Sequence, residues 1–297
     1  MAGGQERVLR RRIKSVQATR KITKAMELIA ASQIPKSQAR IAANRPYRDG
    51  MRRIIVEAAL GDPAGAAKLL ATPEKVDTCV VLMIAGDRGL SGAYNSSTLR
   101  ATERLVRSLN AAGTRVRLFT VGKKAPAYFR FRGVEVEESF VGFADRPTFA
   151  DARVVASHVV APYVDGEAQQ VMLVSTRFHS SSSQMVETEQ LLPLTIPELP
   201  EVEATSALKG YTEFEPEAAQ LLFFLAPRAL ESEIFSALLE GAASFHTSQQ
   251  RAMAAATDNA DELGQTLTRV MNRARQDSIT TEIMEIVGGA EALRSGK

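Results

Sequence analysis

Tryptophan is absent from the 297 residues, and aromatics make up only 6% of them. So few bulky rings imply a small core, or much of the chain in long, alanine-rich helices. The single cysteine, Cys79, excludes an internal disulfide. It sits in the apolar run Thr78-Cys79-Val80-Val81-Leu82 and reads as a buried strand residue. The three histidines, His158, His179 and His246, are too scattered to form a metal-spaced set. No stretch of about 18 apolar residues is present, so no membrane-crossing helix is expected. Residues 1–12 are basic, but no apolar segment of the secretory kind follows them. The expectation is a chain kept in the cytoplasm. Phosphate-loop and dinucleotide fingerprints are missing, and the serine run 180–183 lacks a nucleophile elbow.

Charge is unevenly placed. Residues 1–54 hold 14 Lys+Arg against 3 Asp+Glu, whereas residues 210–297 hold 7 against 13. The two ends attract each other, or the basic end meets an acidic partner. Arg10, Arg11, Arg12, Lys14, Arg20, Lys21 and Lys24 encircle a helix and have no aromatic stacking partners. That pattern argues against nucleic acid and for a protein partner or a solvated face.

Periodicity divides the chain into three. In residues 4–58, Leu9, Ile13 and Val16 are spaced 4 and 3, and Ile22, Met26 and Ile29 repeat that spacing. This predicts a helix with a coiled-coil seam that changes face between Val16 and Ile22. Pro35 and Pro46 predict a kink or brief interruption, because proline inside a helix costs about 3 kcal/mol. Glycine and proline at 61–65 and 72–73 mark a loop. Residues 76–196 alternate: strand 78–85, helix 97–112, strand 115–121, helix 123–131, extended 134–138, helix 149–163, strand 170–175 and strand 185–195. That order predicts a parallel sheet flanked by helices. Glu215-Pro216-Glu217 opens the last helix, and Pro227 predicts a kink in it. Leu230, Ile234, Leu238, Gly241 and Phe245 form one stripe. Leu263, Leu267, Val270 and Ala274, then Ile279, Ile283 and Ile286, continue it. A single helix over 230–286 is about 85 Å long at 1.5 Å per residue, longer than a compact domain of this size. Its stripe needs a partner, and the comparable stripe is at the N-terminus. The predicted fold class is α/β: an antiparallel coiled coil of the chain ends with an inserted Rossmann-like parallel-sheet domain. The predicted segments are 1–58 and 215–290 for the coiled-coil helices and 76–210 for the inserted domain.

One segment invites a ligand. Gly86-Asp87-Arg88-Gly89-Leu90-Ser91-Gly92-Ala93-Tyr94-Asn95 follows a strand and precedes a helix, where anions bind. It lacks the phosphate-loop lysine and spacing, so a structural turn is the favoured reading.

Specific residues then resemble a known family. Arg12-Ile13-Lys14-Ser15-Val16 and Lys21-Ile22-Thr23-Lys24-Ala25-Met26-Glu27 resemble the opening helix of ATP synthase gamma subunits. Asp87-Arg88-Gly89-Leu90, Gly92 and Tyr94-Asn95 look like that family's signature turn, and Ser183-Gln184 and Leu191-Leu192-Pro193 fit its middle. Ala256-Thr257-Asp258-Asn259-Ala260, Asn272-Arg273-Ala274-Arg275-Gln276, Ile279-Thr280, Glu282 and Glu285-Ile286-Val287-Gly288-Gly289-Ala290 carry the strongest likeness. Ser91 stands where many relatives have cysteine, and Gln249 where an arginine is expected.

The resemblance implies the central rotor shaft of a bacterial, proton-driven ATP synthase, with no catalysis of its own. It implies three alpha and three beta subunits, an epsilon subunit and the membrane c-ring as partners. Nucleic acid and direct membrane insertion are not expected. ATP and magnesium belong to the partners in that family, so no cofactor or metal is expected here. The implied location is the cytoplasmic side of the cell membrane, as a peripheral protein. Implied beta-subunit contacts are Lys21, Lys24, Met26, Arg275, Gln276, Thr280 and Glu282. Asp87, Arg88, Gly89, Gly92 and Asn95 are implied to build a structural turn. An α/β nucleotide-binding enzyme with a coiled-coil arm is the alternative, and a structural coiled-coil scaffold a third.

Overall fold

The computed structural model describes residues 2–61, 73–194, 214–215 and 217–295. Ten elements follow in order: α1 (Ala2–Gly61), β1 (Thr78–Ile84), α2 (Tyr94–Ala111), β2 (Arg115–Val121), α3 (Lys124–Phe131), β3 (Glu138–Phe140), α4 (Phe149–Val164), β4 (Gln170–Phe178), β5 (Gln184–Leu192) and α5 (Ala218–Ser295). They pack as two units. One comprises residues 1–30 with 249–297, the other residues 31–248. The loop expected at 61–65, Pro197, Pro200, Pro216 and the end of the inserted domain near 210 lie wholly or largely outside the described residues.

In the larger unit the sheet order is β3-β2-β1-β4-β5. β1 pairs in parallel with β2 and β4, and β2 with β3. β1 is apolar throughout because both its faces are covered. Val80, Leu82 and Ile84 face one core with Ala152, Val155 and Val159 of α4 and Leu230, Ile234 and Leu238 of α5. Cys79, Val81 and Met83 alternate to the other face, against Leu99 of α2 and Ala125 and Phe129 of α3. Burial pushes the Cys79 thiol up to about 12. A capping box starts α4: the Asp151 amide donates to Thr148 Oγ1, and the Thr148 amide donates to Asp151 at 2.7 Å.

The further strand expected at 185–195 forms β5, antiparallel to β4, because a five-residue hairpin connection leaves no room for a crossover helix. The extended stretch expected at 134–138 pairs only as β3, residues 138–140. The prolines do not interrupt the helices: α1 runs through Pro35 and Pro46, and α5 through Pro227. Packing around Pro46 offsets the lost backbone bond. Asn44 Nδ2 donates to Ser236 Oγ at 2.7 Å, and Met51, Ile55, Ala58 and Ala59 are buried with Leu222 and Ala229.

In the smaller unit the two chain ends pair antiparallel, as expected, and the seam keeps Leu9, Ile13 and Val16 but departs from the expected residues beyond them. Leu9, Ile13, Val16, Thr23, Glu27 and Ala30 are buried or half-buried. With Arg20 between them they repeat at 4 and 3 without a break. Ile22 and Ile29, expected in the seam, are 60% and 61% exposed. The stripe does not change face; polar side chains occupy its middle, so hydrophobicity alone lost its phase. On α5 the inward positions are Met253, Thr257, Ala260, Gly264, Leu267, Met271, Ala274 and Ser278. Leu267 and Ala274 were expected there. Leu263 and Val270 are exposed instead.

Two contacts fix the register. Thr23 Oγ1 lies 2.9 Å from Thr257 Oγ1, and a Cβ on Gly264 would sit 3.9 Å from Val16 Cγ1. Seven residues back along α1 match seven forward along α5. By that register Ala2 comes opposite Ser278, where the intrachain partner ends. Ile279, Ile283 and Ile286 were expected in the seam, yet they are 48%, 55% and 72% exposed. They lie off the inward positions, as the exposed Leu263 and Val270 do.

The two seams make different predictions. Met253→Ala should cost about 2 kcal/mol in urea unfolding of the full chain, as a buried methionine truncation. Ile283→Lys should change stability by less than about 0.5 kcal/mol. A large loss for Ile283→Lys would restore the seam read from sequence.

Candidate functional site

The turn after β1 sits at the carboxyl ends of the parallel strands, where open α/β sheets usually bind ligands. Here its own side chains use that position. Asp87 accepts hydrogen bonds from the amides of Lys123 at 3.1 Å, Gly142 at 3.0 Å and Ala144 at 3.1 Å. One carboxylate thus ties down the loops after β2 and β3. Asn95 Oδ1 accepts from the Gly86 amide at 2.8 Å, and its Nδ2 donates to the Arg88 carbonyl at 2.9 Å. Arg88 pairs with Asp145 at 3.1 Å. Gly92 has φ +56°, a conformation costly for any residue with a Cβ, and Leu90 takes φ +62° beside it. Asp87, Arg88, Gly92 and Asn95 are therefore brought together, with Gly89 3.6 Å (from a built Cβ) below the Lys124 side chain. Amides that could cradle a phosphate already hold a carboxylate.

The crevice between β1 and β4 is the topological switch point, and α5 closes it. A Cβ on Gly86 would approach Phe245 to 3.1 Å, and one on Gly241 would meet Tyr94 Oη at 3.2 Å and Ile84 at 3.3 Å. Tyr94 and Phe245 stack edge to face with centroids 5.6 Å apart. Burial, with the nearby Asp145 carboxylate, raises the Tyr94 phenol above its ordinary value. Burial likewise holds His246 below the ordinary imidazole range.

Sequence reasoning missed a charge network beside this plug. Glu240, 7% exposed, accepts from the Phe178 amide at 3.2 Å and pairs with Arg48 at 3.5 Å and Arg177 at 3.6 Å. Arg177 also reaches Glu187 and Glu189. The partners come from α1, β4, β5 and α5, so no local motif could have revealed them.

The residues implied as partner contacts fall in two groups on the smaller unit. Lys21 and Lys24 are exposed and Met26 is half-buried, flanking Thr23 on α1. Lys24 Nζ bonds Glu27 at 3.0 Å. Arg275, Gln276, Thr280 and Glu282 are exposed around the end of the seam on α5. Thr280 donates to the Gln276 carbonyl at 3.0 Å, and Ser278 donates to Glu282 at 3.4 Å. The two groups are not brought together: about 28 Å of helix separates the Thr257 level from Gln276. Among the described residues, no three His, Cys, Asp or Glu side chains cluster as metal ligands. No described helix is long and apolar enough to cross a membrane.

The chain has extensive relatives. The family profile described as ATP synthase matches residues 5–293. The ATP synthase gamma chain of Parafrankia sp. (strain EAN1pec) is 46% identical, covering 99% of both chains. That of Frankia casuarinae is 44% identical with the same coverage. Among solved structures, the fold is similar to a chain of the Euglena gracilis mitochondrial ATP synthase, with TM-score 0.67, 18% identity and coverage of 99% of this chain and 96% of that one. A central stalk/c-ring structure from Tetrahymena thermophila mitochondrial ATP synthase gives TM-score 0.61 at 24% identity, covering 79% of this chain and 99% of that one.

The Asp87 knot has a measurable consequence. Asp87→Ala strips three amides of their acceptor and should cost about 3 kcal/mol in urea unfolding. Asp87→Asn keeps one carbonyl oxygen and should cost roughly half as much. A neutral Asp87→Ala would leave the turn without a structural role.

Proposed function

This chain belongs to the ATP synthase gamma-chain family, and on that premise we propose that it is the central rotor shaft of a proton-driven ATP synthase, itself making and breaking no bonds. The observation that carries the proposal is the antiparallel seam of the two chain ends, beyond which α5 continues to Ser295 with exposed isoleucines. Such a tip is a shaft end that needs a protein environment supplied by others.

In this reading the three alpha and three beta subunits surround the helices of residues 1–58 and 215–290. The α/β domain, residues 76–210, meets the epsilon subunit and the membrane c-ring as a foot. The complex sits on the cytoplasmic face of the cell membrane, with this chain peripheral to it. Proton flow turns the ring, and the two unlike helices present a different side to each beta subunit in turn. Each beta subunit is thereby biased between open and closed states, a population shift driven by rigid-body contact. The same contact regulates ATP hydrolysis and proton flow. ATP and magnesium act on the partner subunits.

Lys21, Lys24, Met26, Arg275, Gln276, Thr280 and Glu282 are proposed to touch beta. Exposed, weakly paired charges suit a moving contact, because each is worth only about 0–1 kcal/mol and none holds one angle tightly. Arg20 pairs with Asp261 across the two helices of the same chain. The alternative, a nucleotide enzyme with a coiled-coil arm, is disfavoured by the Asp87 carboxylate on the loop amides.

Affinity purification should recover one copy of this chain with alpha, beta and epsilon subunits. Recovery alone, with binding of a nucleotide by the isolated chain, would favour the alternative. In the assembled complex, Arg275→Ala with Gln276→Ala should lower ATP turnover about tenfold, as for loss of one or two charged hydrogen bonds. Unchanged turnover would remove these two residues from the contact.

A further inference from the structure

The helix seam carries polar side chains at Arg20, Thr23 and Glu27, and one of these layers pairs two hydroxyls across the helices. Thr23 and Thr257 are 9% and 5% exposed, and their hydroxyls lie 2.9 Å apart. Thr23 Oγ1 is 3.0 Å from the Arg20 carbonyl, and Thr257 Oγ1 is 2.8 Å from the Met253 carbonyl. Two hydroxyl protons serve these three contacts. Either threonine donates across the seam while the other keeps its own helix carbonyl. In the adjacent turn, Arg20 of α1 pairs with Asp261 of α5.

The rest of the seam discriminates poorly between registers. Leu9, Ile13 and Val16 face Ala260, Gly264, Leu267, Met271 and Ala274, a series of small or flexible side chains. A heptad repeat packs again after a slip of seven residues, with little change in apolar burial. The polar pairs do not survive it. A slip one way sets Thr23 against Gly264 and Thr257 against Ala30; the other way sets Thr257 against Val16. Both break the hydroxyl pair and separate Arg20 from Asp261.

We propose that the Thr23–Thr257 hydrogen bond, flanked by the Arg20–Asp261 ion pair, is a register lock. It specifies how α1 and α5 align lengthwise, and so fixes the height of Lys21, Lys24 and Met26 against Arg275 and Gln276. A buried hydroxyl pair in a helix seam is suited to this: it adds little net stability but is lost completely on misalignment.

Disulfide trapping in the full chain tests the lock, and the readout is independent of any rotor role. The lone native Cys79 is fully buried and does not compete. Val16→Cys with Gly264→Cys reports the observed register; Val16→Cys with Met271→Cys reports a slip of one heptad. With both threonines present, the first pair should oxidise at least about tenfold faster than the second. Thr23→Val with Thr257→Val should retain helix content by circular dichroism, yet narrow that ratio roughly fivefold. Thr23→Ser with Thr257→Ser should restore it. An unchanged ratio in the double valine variant would overturn the proposal. Loss of helix content in that variant would also overturn it, by making the layer a source of stability rather than of register.

Discussion

The two ends of this chain must bury each other. Neither α1 nor α5 is stable as an isolated stripe in water, and the heptad of each is completed by the other across residues 9–30 and 253–278. Antiparallel pairing forces the chain to leave and return at the same level, so everything between residues 31 and 248 folds as an insertion. The pairing is also unequal in length. α1 begins at Ala2, while α5 continues past the matching level to Ser295. The isoleucines at 279, 283 and 286 on this stretch are exposed. Exposed apolar side chains in a row mark a surface suited to a protein partner.

The inserted domain has the architecture of a ligand-binding sheet and uses it for something else. Its strand ends carry the usual amides and glycines, but Asp87 and Asn95 occupy the amides, and Phe245 and Tyr94 fill the switch-point crevice. Glu240 then joins α5 to Arg48 of α1 and Arg177 of β4. The result is a sheet whose binding end is bonded to the helices that cross it. That bonding stiffens the binding end of the sheet and closes its crevice.

Much of this was legible in the sequence. The β-α alternation, the buried run around Cys79 and the stripe of Leu230, Ile234, Leu238 and Phe245 follow from periodicity and burial alone. The turn at 86–95 was recognisable, although its side-chain bonds were not. Failures came where polar residues carry the packing. Thr23, Arg20 and Glu27 hold seam positions, so an apolar pattern drifted onto Ile22 and Ile29. Ile279, Ile283 and Ile286 repeat at 4 and 3 among themselves but out of phase with the inward positions, and local spacing alone does not reveal that phase. Contacts between distant segments, such as Arg177 with Glu240, leave no local trace.

Rotation is the most direct measure of the central claim. Phe131, 85% exposed at the end of α3, offers a site for a single new cysteine that can carry a bead, since Cys79 is buried. With alpha and beta subunits fixed to a surface and ATP supplied, the bead should turn in one direction and dwell once per beta subunit. A bead that stays still or wanders at random while the complex hydrolyses ATP would contradict the shaft.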